Sequence, residues 1–260
     1  MATTTRVVLI VEYDGTCYHG SQLQATLPTI QGEIEKALWG LTGERIRVMA
    51  ASRTDAVVHA KGQVVSFRTG SPLSLQTFVN GLNYYLPRDI VIKAVYEADD
   101  SFDVRRDAIS REYSYFILNS LTRSPLRGGF SYRVGGHLAI EAMNQACQAL
   151  IGEHDLILFA SSMGIGTKNT VRRVDQAEVE KDGELVVFNI AASSFLTHQV
   201  RNTIGTLIRV GLGRMRVDEF CSIIEMKKPG LVGPTAPACG LCLMRVSYSK
   251  PFKEKYNENL

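Results

Sequence analysis

The first hundred residues show two kinds of hydrophobic spacing. Short apolar or alternating stretches, typical of strands, occupy residues 7–13, 46–50, 64–68 and 90–96. Apolar positions three or four apart predict two helices between these strands. The first begins around Ile30 and ends at Gly40 and Gly43, and the second follows Ser74 and stops at Pro87. The resulting order, βαββαβ, is that of a ferredoxin-like unit.

The second half of the chain repeats this pattern. Strands are predicted at residues 113–118, 171–179, 184–191 and 241–248. Helical spacing recurs over residues 140–150, from Leu196 onward and over residues 217–224. We therefore predict an α+β protein in which two ferredoxin-like pseudo-repeats with mainly antiparallel sheets flank a central cleft. The polar segment 97–107 is the natural joint, which gives an N-terminal half at residues 1–104 and a C-terminal half at residues 105–260.

Composition narrows the class of protein. The chain has 260 residues, of which 45% are hydrophobic, and this is enough for a large core in one or two domains. No stretch approaches the ~20 apolar residues of a membrane span, and the first six residues lack a signal-peptide layout, so we expect a soluble, cytoplasmic protein. Five cysteines, an odd number, favour reduced thiols over a disulfide framework. The net charge of +3 is compatible with a polyanionic partner.

The tripeptide Arg53-Thr54-Asp55 is a candidate site. It puts a cation, a hydroxyl and a carboxylate in consecutive positions after a predicted strand, where Gly, Asn or Pro is the usual turn chemistry. The carboxylate either caps backbone amides in an ordinary polar turn or takes part in a reaction. This segment alone does not decide between the two interpretations.

Segments elsewhere in the chain form an ordered set with this one. The set consists of Glu12-Tyr13-Asp14-Gly15 with Tyr18-His19-Gly20, Arg53-Thr54-Asp55-Ala56 with Val58-His59-Ala60, Arg111-Glu112-Tyr113-Ser114-Tyr115, Phe195-Leu196 with Val200-Arg201-Asn202, and Thr235-Ala236-Pro237 with Gly240-Leu241. In composition and order these segments resemble the signatures of the TruA-type tRNA pseudouridine synthases. Five motifs in the right order are more specific than any one of them.

The resemblance implies an isomerase that converts uridine to pseudouridine in the tRNA anticodon arm, at positions 38, 39 and 40, without a cofactor. It implies that Asp55 is the catalytic carboxylate, which attacks the sugar or base or abstracts a proton near the sugar. Arg201 would favour the charged form of Asp55, and Tyr113 would stack on the extruded uracil. By pattern alone, Tyr113 is a packing residue and Arg201 a solvated helical arginine.

The resemblance also implies contacts with the rest of the tRNA. Base extrusion costs a few kcal/mol, which such contacts must offset, and guanidinium groups suit phosphates. The residues expected to bind substrate are Gln22, Arg53, Thr54, His59, Arg105, Arg111, Tyr113, Arg172, Arg173, Phe195 and Leu196. No histidine has a second ligand at metal spacing, so we expect no metal. Similar proteins work as homodimers in which the tRNA contacts both subunits, so a homodimer is expected here.

Several positions depart from the family pattern, among them Ser52, Val57 and Ser21. Ser52 and Val57 stand where glycines are usual, and Ser21 stands where a tryptophan is usual. A β-branched residue resists positive φ, so either the backbone at Val57 is ordinary or the loop has shifted, which would misplace Asp55. Two other functions therefore stay open: a catalytically impaired RNA-binding paralogue that acts as a chaperone or interaction module, and an unrelated α+β enzyme with Asp55 as a general base.

Overall fold

The computed structural model describes residues 4–161, 169–226, 232–249 and 252. These residues form an α+β fold that divides into two compact units. Unit 1 comprises the described residues of Met1–Ile109 and Leu243–Leu260, and unit 2 comprises those of Ser110–Cys242.

Unit 1 is a sheet with two helices. Its elements are β1 (Thr5–Tyr13), α1 (Ile30–Thr42), β2 (Met49–Ala50), β3 (His59–Thr69), α2 (Leu75–Tyr85), β4 (Ile90–Ala98) and most of β10 (Leu241–Tyr248). The strand order is β4-β1-β3-β10, and the short β2 also pairs with β3. Strand β1 is antiparallel to both β3 and β4. Phe78 of α2 packs against Phe67 of β3 with ring centroids 5.9 Å apart, which joins the helices to the sheet.

Unit 2 likewise consists of a sheet with helices packed on it. Its elements are most of β5 (Ala108–Asn119), β6 (Tyr132–Val134), α3 (Ile140–Gln148), β7 (Gly152–Asp155), β8 (Val171–Asp182), β9 (Leu185–Ala192), α4 (Gln199–Gly211) and α5 (Val217–Met226). The strand order is β5-β9-β8-β7, and β6 lies parallel to β5. Helix α3 packs on β8 and contacts α4 and α5. Phe159, Phe188 and Phe220 are among the largest fully buried side chains of this unit.

The α+β class with a mostly antiparallel sheet is confirmed, and several boundaries differ from the prediction. Strand β2 covers only the end of the expected range 46–50. The reason is that the N–H of Val48 donates to the Glu35 side chain at 3.1 Å and its carbonyl accepts from the Gln31 side chain at 3.2 Å, so α1 satisfies backbone groups that a strand would use. Strands β6 and β7 are short and lie in ranges where no strand was predicted.

The last strand has the predicted range, but most of it lies in unit 1 and not with the second half of the chain. Strand β10 spans residues 241–248 as expected, yet it pairs with β3, and most of it belongs to unit 1. An alternating pattern specifies a strand and its buried face, not the edge on which it pairs. The domain boundary after residue 104 and the central cleft stay predictions.

Candidate active site

The connection between β2 and β3, residues 51–58, carries Asp55 and is tied to β3. The Gln63 side chain, which is 1% exposed, accepts a hydrogen bond from the Ser52 N–H at 3.2 Å and donates one to the Ser52 carbonyl at 2.8 Å. The Ala51 N–H donates to the Val64 carbonyl at 2.8 Å. The loop therefore leaves the sheet only after Ser52, and Asp55, three residues further on, is half-buried.

Thr54, the residue before Asp55, is held by the end of β1 and the segment that follows it. Its N–H donates to the Ser21 hydroxyl at 2.8 Å, and its carbonyl accepts from the Ser21 N–H at 3.0 Å. Its own hydroxyl lies 2.8 Å from the Tyr13 hydroxyl. All three residues are buried. These bonds fix the backbone next to Asp55, and a contact between Thr54 and RNA stays a prediction.

Asp55 begins a β-turn whose third residue is Val57. The Val58 N–H donates to the Asp55 carbonyl at 3.2 Å, and Val57 has a φ of 69°. Positive φ at the third position characterises a type II turn and favours glycine there. The expected alternative of an ordinary backbone at Val57 is therefore wrong. Among the residues that the structure describes, Ser52 is not in this conformation, so the lack of a glycine there has no such cost.

The segment between β1 and α1 packs its backbone directly on this turn. A Cβ atom at Gly15 would lie 2.1 Å from the Val58 carbonyl oxygen, and one at Gly20, whose φ is 97°, would lie 2.9 Å from the Thr54 carbonyl oxygen. His59, which is 5% exposed, accepts a hydrogen bond from the Gly15 N–H at 3.1 Å. This contact has a structural role, and binding of RNA by His59 stays a prediction.

In unit 2, Tyr113 packs against another expected site residue, Phe195. Tyr113 lies on β5 opposite Ile190 of β9 and is 6% exposed. Its ring meets Phe195 edge-on, with centroids 5.2 Å apart and planes at 89°, a favourable aromatic arrangement. The N–H of the adjacent Leu196 donates to the Gln199 side chain at 2.8 Å. The segment leading into α4 is thus held against β5.

Arg201 lies in the first turn of α4 and is bound twice by Ala236. Its Nε donates to the Ala236 carbonyl at 2.8 Å, and its own carbonyl accepts from the Ala236 N–H at 3.1 Å. Gly205, one turn along the helix, permits this approach, because a Cβ atom there would lie 1.9 Å from the Pro234 carbonyl oxygen. The bond through Nε fixes the plane of the guanidinium group.

Arg53 and Arg105 are neighbouring cations in unit 1. Both are exposed, and the Arg105 Nε donates to the carbonyl of Ala50, at the start of the Asp55 loop, at 3.0 Å. Partial burial and then the charge of Arg53 lower the pKa of the Arg105 guanidinium. Two like charges in proximity produce a positive potential beside the loop, which favours an anion.

Two other expected binding arginines have partners within unit 2. Arg111 is 8% exposed, and its Nη1 donates to the Ser193 carbonyl at 2.7 Å. Arg173 pairs with Asp175, with 2.8 Å between Nε and Oδ1. Gln22, in unit 1, is exposed. The two arginines have structural roles in the protein, and a role in binding RNA stays a prediction for all three residues.

Arg172 differs from these arginines because one of its donors is unsatisfied. Its Nη1 donates to the carbonyls of Asn169 and Val171 at 3.0 and 2.7 Å. Its Nε is buried and has no hydrogen-bond partner among the described residues. Burial lowers the pKa of this guanidinium. A buried donor without an acceptor is costly, and an added acceptor would remove that cost.

Sequence analysis missed the residues that hold the candidates in place. Tyr13 and Ala236 belong to the recognised segments, so their positions carried a signal, although no role was assigned to them. Ser21 was noted only as the absence of a tryptophan, and its hydroxyl bonds the Thr54 N–H. Nothing in the pattern around Gln63 marks its contact with Ser52.

Comparison with known proteins assigns the chain. The family described as tRNA pseudouridine synthase matches residues 9–107 and 146–249. A protein of Acetivibrio thermocellus called tRNA pseudouridine synthase A is 44% identical over 242 residues, which cover 93% of this chain and 99% of that protein. A protein of the same name from Pelobacter propionicus is 43% identical, with the same coverage of both chains. A solved archaeal box H/ACA Nop10–Cbf5 complex has a TM-score of 0.36 at 11% identity, over 87% of this chain and 60% of that one, and adds nothing to the assignment.

These matches define the class of protein as an isomerase acting as a pseudouridine synthase. The chain belongs to the tRNA pseudouridine synthase family. Within residues 4–161, 169–226, 232–249 and 252, no group of three or more His, Cys, Asp or Glu side chains is arranged to hold a metal ion. In the same residues, no helix is both long and apolar enough to span a bilayer.

Proposed function

We propose that this chain converts uridine to pseudouridine in the anticodon stem-loop of tRNA, at positions 38, 39 and 40, without a cofactor. Asp55 is the catalytic carboxylate, Arg201 the guanidinium that favours its charged form, and Tyr113 the ring that stacks on the extruded uracil. The enzyme works in the cytoplasm as a homodimer. The substrate-binding residues are the eleven expected from the sequence, namely Gln22, Arg53, Thr54, His59, Arg105, Arg111, Tyr113, Arg172, Arg173, Phe195 and Leu196.

The observation that carries this proposal is the construction of the Asp55 loop. A carboxylate that serves only as a turn residue needs no more than local backbone contacts. Here Ala51 and Ser52 are tied to β3, Thr54 is tied to Tyr13 and Ser21, and the turn after Asp55 keeps a β-branched residue at positive φ. Such restraint around a half-buried acid is typical of a functional site.

The reaction is balanced without an oxidant or reductant. The bond between C1′ of the sugar and N1 of uracil breaks, the freed base rotates, and a bond forms between C1′ and C5. C5 loses a proton and N1 gains one. A carboxylate is sufficient for each proposed role of Asp55, whether it attacks the sugar or base covalently or abstracts a proton near the sugar.

Tritium release from tRNA labelled at uracil C5 tests the proposal. Wild-type protein should release tritium, and tRNAs that carry a single uridine at position 38, 39 or 40 should each be substrates. Asp55→Asn, which keeps the size of the side chain and removes its charge, should abolish release, whereas Asp182→Asn, which alters an exposed carboxylate, should not. Release by Asp55→Asn at the wild-type rate would contradict the catalytic role.

The rival function, an RNA-binding paralogue without catalysis, rests on Ser52 and Val57. It predicts that wild-type protein binds tRNA but releases no tritium, and that the double change Ser52→Gly/Val57→Gly restores release. The structure favours catalysis, because the turn adopts the conformation typical of glycine in spite of Val57. Our proposal therefore predicts release by wild-type protein, with at most a severalfold change in the double variant.

A further inference from the structure

Unit 1 contains a basic cavity away from the Asp55 loop. The cavity has a volume of about 460 Å³ and lies between the start of β1, the end of β3 and the connection from α1 to β2. Four arginines and one glutamate line it, namely Arg6, Arg45, Arg47, Arg68 and Glu44. No residue from 51 to 58 lines it, so it is separate from the candidate active site.

The four arginines are only partly neutralised. Arg6 and Arg68 both donate to the Asp100 carbonyl, at 3.1 and 3.0 Å, and Arg68 also lies 3.4 Å from the exposed Asp100 carboxylate. Arg47 pairs with Glu35 at 3.2 Å. Arg45 is exposed and forms no ion pair with another described residue. The cavity therefore retains positive charge that an anion would neutralise.

Two features of Arg6 favour an anionic ligand. Arg6 lies directly opposite Arg68 on the neighbouring strand, and like charges in this arrangement repel each other. In addition, the Nε of Arg6 is buried and has no hydrogen-bond partner among the described residues. A phosphate group would offset the repulsion, and it would supply the missing acceptor once the Arg6 side chain turns to expose its Nε; planar guanidinium groups match phosphate oxygens.

The carboxylate of Glu44 offsets part of the positive charge of the four arginines, and its hydrogen bonds hold it at the end of β3. It accepts a hydrogen bond from the Thr69 hydroxyl at 2.8 Å and a long one from the Gly70 N–H at 3.4 Å. Both bonds are accepted by Oε2 and orient the carboxylate toward the end of β3. Glu44 thus has a structural role at the rim of the cavity.

The position of the cavity indicates the size of the ligand. Strand β3 begins at His59, directly after the Asp55 loop, and its first cavity-lining residue, Ser66, lies seven residues further along the strand. At roughly 3.3 Å per residue, this is about 23 Å, and Arg68 lies further still. One nucleotide cannot reach from Asp55 to the cavity, whereas a folded RNA with many phosphates can.

We propose that this cavity binds the phosphate backbone of tRNA at a site remote from the reacting uridine. The inference rests on the proposed function for the identity of the RNA. The cavity adds affinity for tRNA regions beyond the anticodon stem-loop, and it takes no part in the chemistry. The cavity recognises a phosphate group, which could belong to tRNA or be free inorganic phosphate. The experiment must therefore distinguish binding of tRNA from binding of inorganic phosphate.

The test compares Arg45→Gln/Arg47→Gln with Lys36→Gln/Lys93→Gln, which removes two exposed cations of unit 1 outside the cavity. Binding of full-length tRNA and of an isolated anticodon stem-loop is measured between about 50 and 200 mM salt. For full-length tRNA, the arginine variant should bind about tenfold more weakly, and its slope of log K against log salt should be smaller by about 1 to 2. Its binding to the stem-loop, and the activity on the stem-loop, should equal those of wild-type protein.

Other outcomes would either contradict this inference or contradict the proposed function alone. Unchanged affinity and slope for full-length tRNA would overturn the inference, and so would an equal loss with the stem-loop. Calorimetric binding of inorganic phosphate that the arginine variant loses, together with unchanged tRNA binding, would identify a site for free phosphate instead. If wild-type protein forms no pseudouridine but the arginine variant still loses tRNA affinity, the proposed function fails and the inference stands.

Discussion

The N–H of Thr54 donates a hydrogen bond to the hydroxyl of Ser21 at 2.8 Å, and both residues are buried. Asp55 is the next residue, so this side-chain bond, together with the backbone bond from the Ser21 N–H to the Thr54 carbonyl, links the catalytic candidate to the segment between β1 and α1. A tryptophan at position 21, usual in the family, has no oxygen with which to accept it. Ser21 therefore accepts a hydrogen bond that a tryptophan side chain at this position could not accept.

Ser21→Ala should destabilise the protein by about 2 kcal/mol, because it leaves a buried N–H without an acceptor. We also expect kcat for pseudouridine formation to fall, since the backbone beside Asp55 loses a restraint. Chemical denaturation and tritium release measure the two effects. Ser222→Ala is the matched control, because the Ser222 hydroxyl only donates to the Asp218 carbonyl within α5. Equal effects of the two changes would contradict the role of Ser21.

A substitution at Val57 should stabilise the protein, in contrast to the one at Ser21. A non-glycine residue in the left-handed region costs about 1–2 kcal/mol, and Val57 has a φ of 69°. Val57→Gly removes this cost but adds chain entropy to the unfolded state, so we expect a net stabilisation of roughly 0.5–1 kcal/mol. Val57→Ala is the control, since it keeps the Cβ atom that causes most of the cost. If Val57→Gly is no more stable than Val57→Ala, the strain at this turn is not significant.

Prediction from sequence succeeded where one local rule determined the outcome. Helix α2 begins after Ser74, whose side chain accepts from the Thr77 N–H, and α1 ends at Gly43, whose φ of 72° suits glycine. Gly40 was also expected to end α1, but the helix continues through it to Thr42. A glycine within a helix reduces its stability without necessarily ending it.

The rest of the fold and site depends on contacts between segments distant in sequence. Nothing local indicates that Gln31 and Glu35 bond to Val48 and shorten β2, or that β10 pairs with β3. The family resemblance supplied Asp55 as the catalytic candidate, and its role stays a prediction. The restraints on that site could not be predicted, because side-chain hydrogen bonds such as that of Ser21 require the coordinates of both partners.

Asp14 makes stability depend on pH. Burial alone would raise the pKa of its carboxyl, but hydrogen bonds from the Thr16 hydroxyl and N–H lead the effects that outweigh it, and the pKa lies below the ordinary value of 3.8. Because the folded-state pKa is lowered, the stabilisation is present above pH 3.8 and is lost as the pH falls through the folded-state pKa. The side chain is 37% exposed, so solvent screening reduces the effect.

We therefore expect Asp14→Asn, which keeps an acceptor for Thr16, to be less stable than wild-type protein at neutral pH. The difference between the two proteins should shrink as the pH falls below 3.8. Free energies of unfolding from denaturant titrations across this range measure it. Asp182→Asn, which changes an exposed carboxylate, serves as the control. A difference that grows on acidification would contradict the sign of the pKa shift.

Arg201 provides a test of guanidinium geometry rather than charge. Its Nε donates to the Ala236 carbonyl at 2.8 Å, which orients the planar group. Arg201→Lys keeps the positive charge, but an ammonium group has no fixed plane and cannot bond Ala236 while presenting a fork of donors elsewhere. We expect kcat/KM to fall about 100-fold, with a small change in the free energy of unfolding. Arg214→Lys, at an exposed position after α4, is the control and should leave kcat/KM unchanged. Wild-type activity in Arg201→Lys would show that charge alone is sufficient and that the bond to Ala236 has no catalytic consequence.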